Sequence, residues 1–224
     1  MVKVGDLSLS RRLVLKTSAW LAAALVIGVP PAQILLAAPN PTPANPVTKP
    51  DQKIQLGFLY DETKCIECWA CATACKKANN WEEGVQWRKV FSSDSHSLSM
   101  SCNHCADPAC LKVCPVTAYT KRKKDGIVIH NSKRCVGCGY CLYACTYHAP
   151  QFGETTGAIS KCSFCYQRQD QGYDPVCVNA CPVKALRYGD IETLKKEAGA
   201  NASLVKGLPS PEITRPSLVM IAKK

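Results

Sequence analysis

Sixteen cysteines lie between residues 65 and 181 and nowhere else in this 224-residue chain. They fall into four groups: Cys65, Cys68, Cys71 and Cys75; Cys102, Cys105, Cys110 and Cys114; Cys135, Cys138, Cys141 and Cys145; Cys162, Cys165, Cys177 and Cys181. Groups one and three share the spacing C-x2-C-x2-C-x3-C. Groups two and four lengthen the middle gap to four and eleven residues and keep the final C-x3-C. Three chemistries compete for thiols so placed. Disulfides are the ordinary fate of cysteines in an exported chain, but thiols repeating every three residues in one turn would bridge with strain and ambiguity. Structural zinc wants two separated C-x2-C pairs closing one tetrahedron, which leaves no place for the third cysteine of each run. A cubic iron-sulfur cluster uses that third ligand. Three thiolates from one loop hold three corners of a 4Fe-4S cube, and the fourth cysteine reaches a neighbouring cube. Every cysteine is then an iron ligand, and sixteen thiolates make four clusters.

Proline after the last cysteine belongs to the same signature. Cys114-Pro115 and Cys181-Pro182 carry it, whereas Cys75-Lys76 and Cys145-Thr146 depart from it. An internal repeat supports the count: DETKCIEC at 61–68 aligns with NSKRCVGC at 131–138, each preceded by a β-rich run, at 57–60 and 127–130. Within that alignment Glu67 replaces the glycine that usually separates the first two ligands. Facing the cube, its charge would lower that cluster's potential; facing water, it would do little, and both orientations stay open. Trp69, inside group one, is read as a shield over the cluster.

Small elements have to position these loops. Residues 118–121 and 126–130 flank the polar tip Arg122-Lys123-Lys124-Asp125 and predict a β-hairpin with Asp-Gly turn chemistry. Residues 185–188 repeat the first of those strands after Cys181-Pro182. Short helices are expected after the last cysteine of each group. Asp190 reads as an N-cap and Gly199 as a C-cap for a helix over 191–198, and 218–221 reads as a strand in a Pro- and Gly-punctuated tail. The fold class expected is α+β, with small hairpins and helices wrapping the clusters.

The amino terminus is read separately. Ser10-Arg11-Arg12-Leu13-Val14-Leu15-Lys16 precedes an apolar run from Ala19 to Val29, then Pro30, Pro31 and Ala37-Ala38. Basic, apolar and small residues in that order predict a signal peptide over 1–38, since the apolar run is too short for the roughly 20 residues a bilayer span requires. The paired arginines resemble the twin-arginine export signal, with Val14 where phenylalanine is usual. Export of a folded, cofactor-loaded protein to the periplasm or the outer face of the cytoplasmic membrane is the expectation. Residues 39–53, beginning PNPTPANPVTKP, read as an extended proline-rich linker.

Net charge is +11. Residues 1–38 hold four of the 28 basic and one of the 17 acidic residues, so the remainder carries an excess of eight. Four oxidised cubes with their thiolates contribute roughly −8, so the surplus reads as counter-charge rather than a nucleic-acid footprint. The Lys121 to Lys124 run is read as a solvated hairpin tip. His96, His104, His130 and His148 have no partner pattern for acid-base or nucleophilic work, and no Gly-rich nucleotide loop is present. His104 and His148, beside ligand cysteines, are read as hydrogen-bonding neighbours rather than ligands.

SCNHCADPAC at 101–110, the run Lys112-Val113-Cys114-Pro115, and KCSFCY at 161–166 resemble the four-cluster iron-sulfur subunits of molybdopterin oxidoreductases, most of all the dimethyl sulfoxide reductase type. The resemblance spans about residues 55–224. It implies two nested bacterial-ferredoxin-like units, residues 54–98 with 151–190 around residues 99–150, followed by a C-terminal helix and tail at 191–224. It also implies a pairing across the chain. Cys65, Cys68 and Cys71 would share a cube with Cys181, and Cys162, Cys165 and Cys177 with Cys75. Cys102, Cys105 and Cys110 would take Cys145, and Cys135, Cys138 and Cys141 would take Cys114. The implied function is a wire of four 4Fe-4S clusters between a quinol-oxidising membrane anchor subunit and a molybdopterin catalytic subunit, without a catalytic site of its own. Subunits of that type ordinarily have no export signal. A self-addressed chain is also similar to iron-sulfur subunits of tetrathionate or polysulfide reductase and of multihaem nitrite reductase systems.

Overall fold

The structure, a computed structural model, describes residues 54–93, 96–202 and 208–223. The expected signal peptide and proline-rich linker lie outside the described residues. In chain order the elements are β1 (Leu56–Asp61), α1 (Ala70–Asn79), β2 (Lys89–Ser92), β3 (Ser97–Met100), α2 (Ala109–Lys112), β4 (Tyr119–Lys121), β5 (Val128–His130), α3 (Tyr140–Ala144), β6 (Gln151–Gly153), β7 (Ala158–Ser160), α4 (Tyr166–Gln169), α5 (Val176–Asn179), β8 (Leu186–Asp190), α6 (Ile191–Ala198), a 3-10 turn (Gly199–Asn201) and β9 (Leu218–Ile221). Among the described residues no helix is long and apolar enough to cross a membrane.

β1, with the sequence LGFLYD, is buried along most of its length because it serves two cores. Side chains alternate across a strand. Leu59 therefore packs against Ile191, Leu194 and Ala198 of α6, while Phe58 and Tyr60 meet Phe164, Cys177, Cys181 and Ala185 on the opposite face. β8 pairs antiparallel with one edge of β1, and β9 pairs parallel with the other. As read from the sequence, α6 starts at Asp190, whose carboxylate accepts from the Thr193 backbone N–H at 3.1 Å, and ends at Gly199.

Six strands form three hairpins, β2–β3, β4–β5 and β6–β7. The β4–β5 hairpin matches the sequence reading, with Gly126 at φ 70° in its turn. Its tip is not a freely solvated one. Lys121 Nζ donates to the carbonyls of Cys105 and Ala106 at 3.0 and 2.9 Å, Arg122 pairs with Asp125 and Asp170 at 3.0 and 2.6 Å, and Lys124 pairs with Asp170 at 2.5 Å. The basic run is held by Asp170, at the end of α4, and by loop carbonyls. Burial pushes the Lys121 ammonium down to about 8.

The helices also sit differently from expectation. They open just before the third cysteine of a group, and only α1 runs on through the fourth, to Asn79. Pro115 and Pro182 follow the fourth cysteines of groups two and four, and proline disfavours helical backbone in the residue before it. In group three Cys145 leaves the helix in extended conformation, φ −84° and ψ 109°. Lys76 imposes no such stop.

Glu62, at the end of β1, fastens three segments. It is fully buried and accepts from the backbone N–H groups of Ser97 and Lys223, both at 2.8 Å, and faces His96 Nδ1 at 3.0 Å. Burial pushes this carboxyl up, but the Lys223 and Ser97 donors and the imidazole outweigh it and hold the group below its usual value. Its contribution is therefore present above about pH 4.3, where the unfolded carboxylate is ionised, and is lost as pH falls through the lower folded value. Glu62→Ala is expected to cost about 2–3 kcal/mol by leaving buried donors unmet. Thermal melts of the loaded chain should show the deficit near pH 7 and a smaller one in acid.

Candidate metal centre

The four cysteine loops turn in the same way. The residue two places after the first cysteine of each group has a left-handed backbone: Glu67 at φ 56°, His104 at 42°, Gly137 at 69° and Phe164 at 57°. In two of the loops this turn aims an amide back at the cysteine sulfur. Gly137 N–H donates to Cys135 Sγ at 3.4 Å and Phe164 N–H to Cys162 Sγ at 3.3 Å. Other amides do likewise, Ile159 to Cys135 at 3.4 Å and Ala118 to Cys114 at 3.2 Å. Three of the four positions accept the conformation without glycine. For an L-residue that costs roughly 1–2 kcal/mol.

Strand pairing decides which groups meet. In the hairpin joining groups two and three, Tyr119, five residues past Cys114, pairs with His130, five residues before Cys135. Across the main sheet Leu186, five residues past Cys181, pairs with Tyr60, five residues before Cys65. The register is the same, so the end of group four stands to the start of group one as group two stands to group three.

The thiols gather accordingly. Cys65, Cys68, Cys71 and Cys181 line one apolar cavity. Cys102, Cys105, Cys110 and Cys145 line a second. Cys75 lies near Cys162, Cys165 and Cys177, and Cys141 near Cys114, Cys135 and Cys138. Cys75, Cys102, Cys110, Cys141, Cys162, Cys177 and Cys181 are buried, while Cys68 and Cys138 are exposed. All sixteen are free thiols. Among the described residues, no three His, Cys, Asp or Glu side chains approach closely enough to hold a single metal ion.

The residues present fit a multinuclear iron-sulfur group. Such a group with its thiolate ligands would carry negative charge, which the N–H donors at Cys114, Cys135 and Cys162 would offset while apolar walls exclude water. Without metal, burial pushes the thiols of Cys75, Cys102, Cys110 and Cys177 up, so they are neutral at pH 7. Such a group, when bound, supplies reversible one-electron storage. The chain supplies the ligand thiolates, the amides aimed at them and walls that exclude water.

Neighbouring residues divide into those read correctly and those not. Glu67 is half-buried and lines the Cys65 cavity. Trp69 lines it too but is 48% exposed, so it covers only the rim. His104 is fully buried, and its Nδ1 accepts from Val128 N–H at 3.1 Å rather than bonding to sulfur. Burial and the nearby Lys161 and Lys121 hold its pKa well below the usual range, so the ring is neutral. His148 is exposed on a surface groove with Trp87 and Phe91, and only its backbone N–H, bonded to the Cys145 carbonyl at 3.1 Å, serves the loop. The left-handed turn at His148, φ 48°, goes with this outward position. Two buried cations, Arg88 and Lys161, escaped the sequence reading: Arg88 lies outside every motif, and Lys161, though it opens KCSFCY, was given no role there.

Glu67 allows a two-part test. Glu67→Gln is expected to raise the midpoint of the cluster at Cys65 by an amount on the order of tens of mV, because one negative charge is removed. Glu67→Gly should add to that shift a stabilisation of about 1 kcal/mol from relief of the left-handed backbone. Redox titration and thermal melting check the two effects separately.

Comparison with known proteins gives the same class of cofactor. The 4Fe-4S dicluster domain family matches residues 94–191. The chain is similar to the B subunit of anaerobic dimethyl sulfoxide reductase from Escherichia coli K12, 41% identical over 185 residues that cover 74% of this chain and 88% of that protein. The corresponding B subunit of Haemophilus influenzae is 39% identical over 187 residues, 76% of this chain and 90% of that one. The formate dehydrogenase iron-sulfur subunit of Wolinella succinogenes is 37% identical over 172 residues, 64% and 86%.

Proposed function

Because the chain belongs to the family of dimethyl sulfoxide reductase iron-sulfur subunits, we propose that its sixteen cysteines hold four 4Fe-4S clusters in a line. Its class is plain: it is an electron-transfer subunit of an anaerobic oxidoreductase, and the catalytic site belongs to another subunit. The observation that carries the finer reading is the repeated strand register, which brings Cys181 to group one as it brings Cys114 to group three.

The order follows from shared neighbours. The C-x3-C spacing sends Cys71 and Cys75 of α1 to adjacent quartets, and Cys177 and Cys181 likewise. Cys102 and Cys162 pack in one cluster, linking the inner quartets, and Cys110 packs with Cys141, linking the next pair. The line therefore runs from the Cys65 quartet through those of Cys162 and Cys102 to that of Cys135. Its outer quartets each present an exposed ligand, Cys68 and Cys138, with exposed apolar neighbours Ile66 and Val136. An electron enters at one exposed end and leaves at the other, and the buried inner thiols keep water from the path.

The partners proposed are a molybdopterin catalytic subunit and a quinol-oxidising membrane subunit, with this chain peripheral to the membrane through them. Export by the twin-arginine route to the periplasm or the outer face of the cytoplasmic membrane is part of the proposal, carried by Arg11 and Arg12. Co-purification of the native complex followed by cofactor analysis tests it. Molybdopterin is the expected result; covalent haem in its place would favour a multihaem nitrite reductase system.

A further inference from the structure

Arg88 heads the fully buried side chains of the described residues at 2% exposure, yet it lies outside every cysteine group, just ahead of β2. Its guanidinium donates through Nη1 to Ser99 Oγ at 3.1 Å and through Nη2 to Ser101 Oγ at 2.9 Å, and its Cζ stands 4.8 Å from the centre of the Phe58 ring. All three partners are neutral. Among the described residues no Asp or Glu forms an ion pair with it. An uncompensated charge in such an interior is strongly disfavoured.

Sulfur surrounds it instead. As thiolates, Cys177, Cys162, Cys71 and Cys75 favour its charge, and it favours the thiolate forms of Cys75, Cys165 and Cys177. That set is the whole Cys75–Cys162–Cys165–Cys177 quartet and one member, Cys71, of the quartet beside it. Ser99 completes the link, its Oγ lying 3.3 Å from Cys71 Sγ. The arginine thus stands at the junction of two quartets, with no carboxylate paired to it among the described residues.

We propose that Arg88 is the resident counter-charge of the two clusters held by groups one and four, and that it raises their reduction potentials. The inference rests on the four-quartet reading above. Accepting one electron makes a cluster more negative, and a fixed cation beside it favours that state; in a buried site, salt and water screen the attraction little. Lys161, 4% exposed, with Nζ donating to the carbonyls of Val128 and Cys162 at 2.5 and 3.0 Å, stands near Cys102 and Cys110 at the next junction. It gives the cluster of group two a cation of its own, and Cys141 of group three has Tyr119 and its quartet thiols beside it rather than Arg88, so an Arg88 variant should spare both clusters.

The test is a redox titration of the purified native complex by paramagnetic resonance, comparing Arg88→Gln and Arg88→Lys with the parent, with iron counted in each. Serine variants of Cys65 and Cys177 assign the relevant signals beforehand. In Arg88→Gln those two signals should fall: at the parent midpoint the reduced-to-oxidised ratio should drop at least tenfold, equivalent to 59 mV for one electron. The other two should hold within threefold. Arg88→Lys keeps the charge but loses the planar fork, and should drop less than threefold. Unchanged midpoints in fully loaded Arg88→Gln, or equal drops in both variants, would overturn the proposal. If Arg88→Gln fails to load iron, recovery of loading in Arg88→Lys supports a need for charge, and equal loss in both overturns it. A parent complex with fewer than four clusters would instead undo the quartet reading, since that count is made before any variant is compared.

Discussion

Cys181→Ser is expected to abolish or alter the same reduced-state paramagnetic signal as Cys68→Ser, although the two residues lie at opposite ends of the cysteine region. β1 and β8 hold Leu186 opposite Tyr60, and the cavity lined by Cys65, Cys68 and Cys71 is closed by Cys181 rather than by a fourth residue of group one. The effect is large because a cube with a missing thiolate loses iron or the whole cluster, about four of about sixteen irons per chain. Cys138→Ser and Cys114→Ser should form a second such pair, and Cys75→Ser should fall with Cys162→Ser. Iron content and the spectrum of each reduced variant check the pairing. If variants sorted by group instead, with Cys181→Ser matching Cys162→Ser, the nested arrangement would be wrong.

Removing the iron should unfold most of the chain. Several core strands are only three residues long, and much of the interior they enclose consists of cysteine side chains packed with Phe58, Tyr60, Val128 and Ile159. Without metal the thiols lose their anchor, and Arg88 and Lys161 remain in an apolar interior with no carboxylate paired to them among the described residues. Sites of this kind couple binding to folding. We expect an anaerobic chelator to abolish the cooperative thermal transition and roughly half or more of the far-ultraviolet dichroism. α6 and its contacts to Leu59 would be the part with most reason to persist, being free of cysteine. A colourless chain that still melted cooperatively at the original temperature would contradict this.

What the sequence made legible was what repeats or punctuates. Cysteine spacing pointed to the candidate ligands, Asp190 and Gly199 bounded α6, and 218–221 proved to be β9. The β2–β3 and β6–β7 hairpins went unread, since the first joins four-residue strands and the second three-residue strands, too short for a period of two to stand out. The left-handed turns were hidden as well. Only group three spends a glycine there, and Glu67, His104 and Phe164 adopt the same backbone because the surrounding loop demands it. Arg88 was beyond reach for another reason: burial of a charged residue between distant segments is a tertiary fact without a local pattern. In the Lys121 to Lys124 run the exposed Lys123 and Lys124 fit a solvated tip and Lys121 and Arg122 do not, since a local charge cluster says nothing of loop carbonyls or Asp170 across the chain.

Iron and acid-labile sulfide, counted per chain in anaerobically purified full-length protein, bear most directly on the claim that every thiol is an iron ligand. The account predicts about sixteen of each, as four cubes require. About eight of each would mean that half the cysteines have another task, and a colourless chain without sulfide would remove the basis of the whole reading.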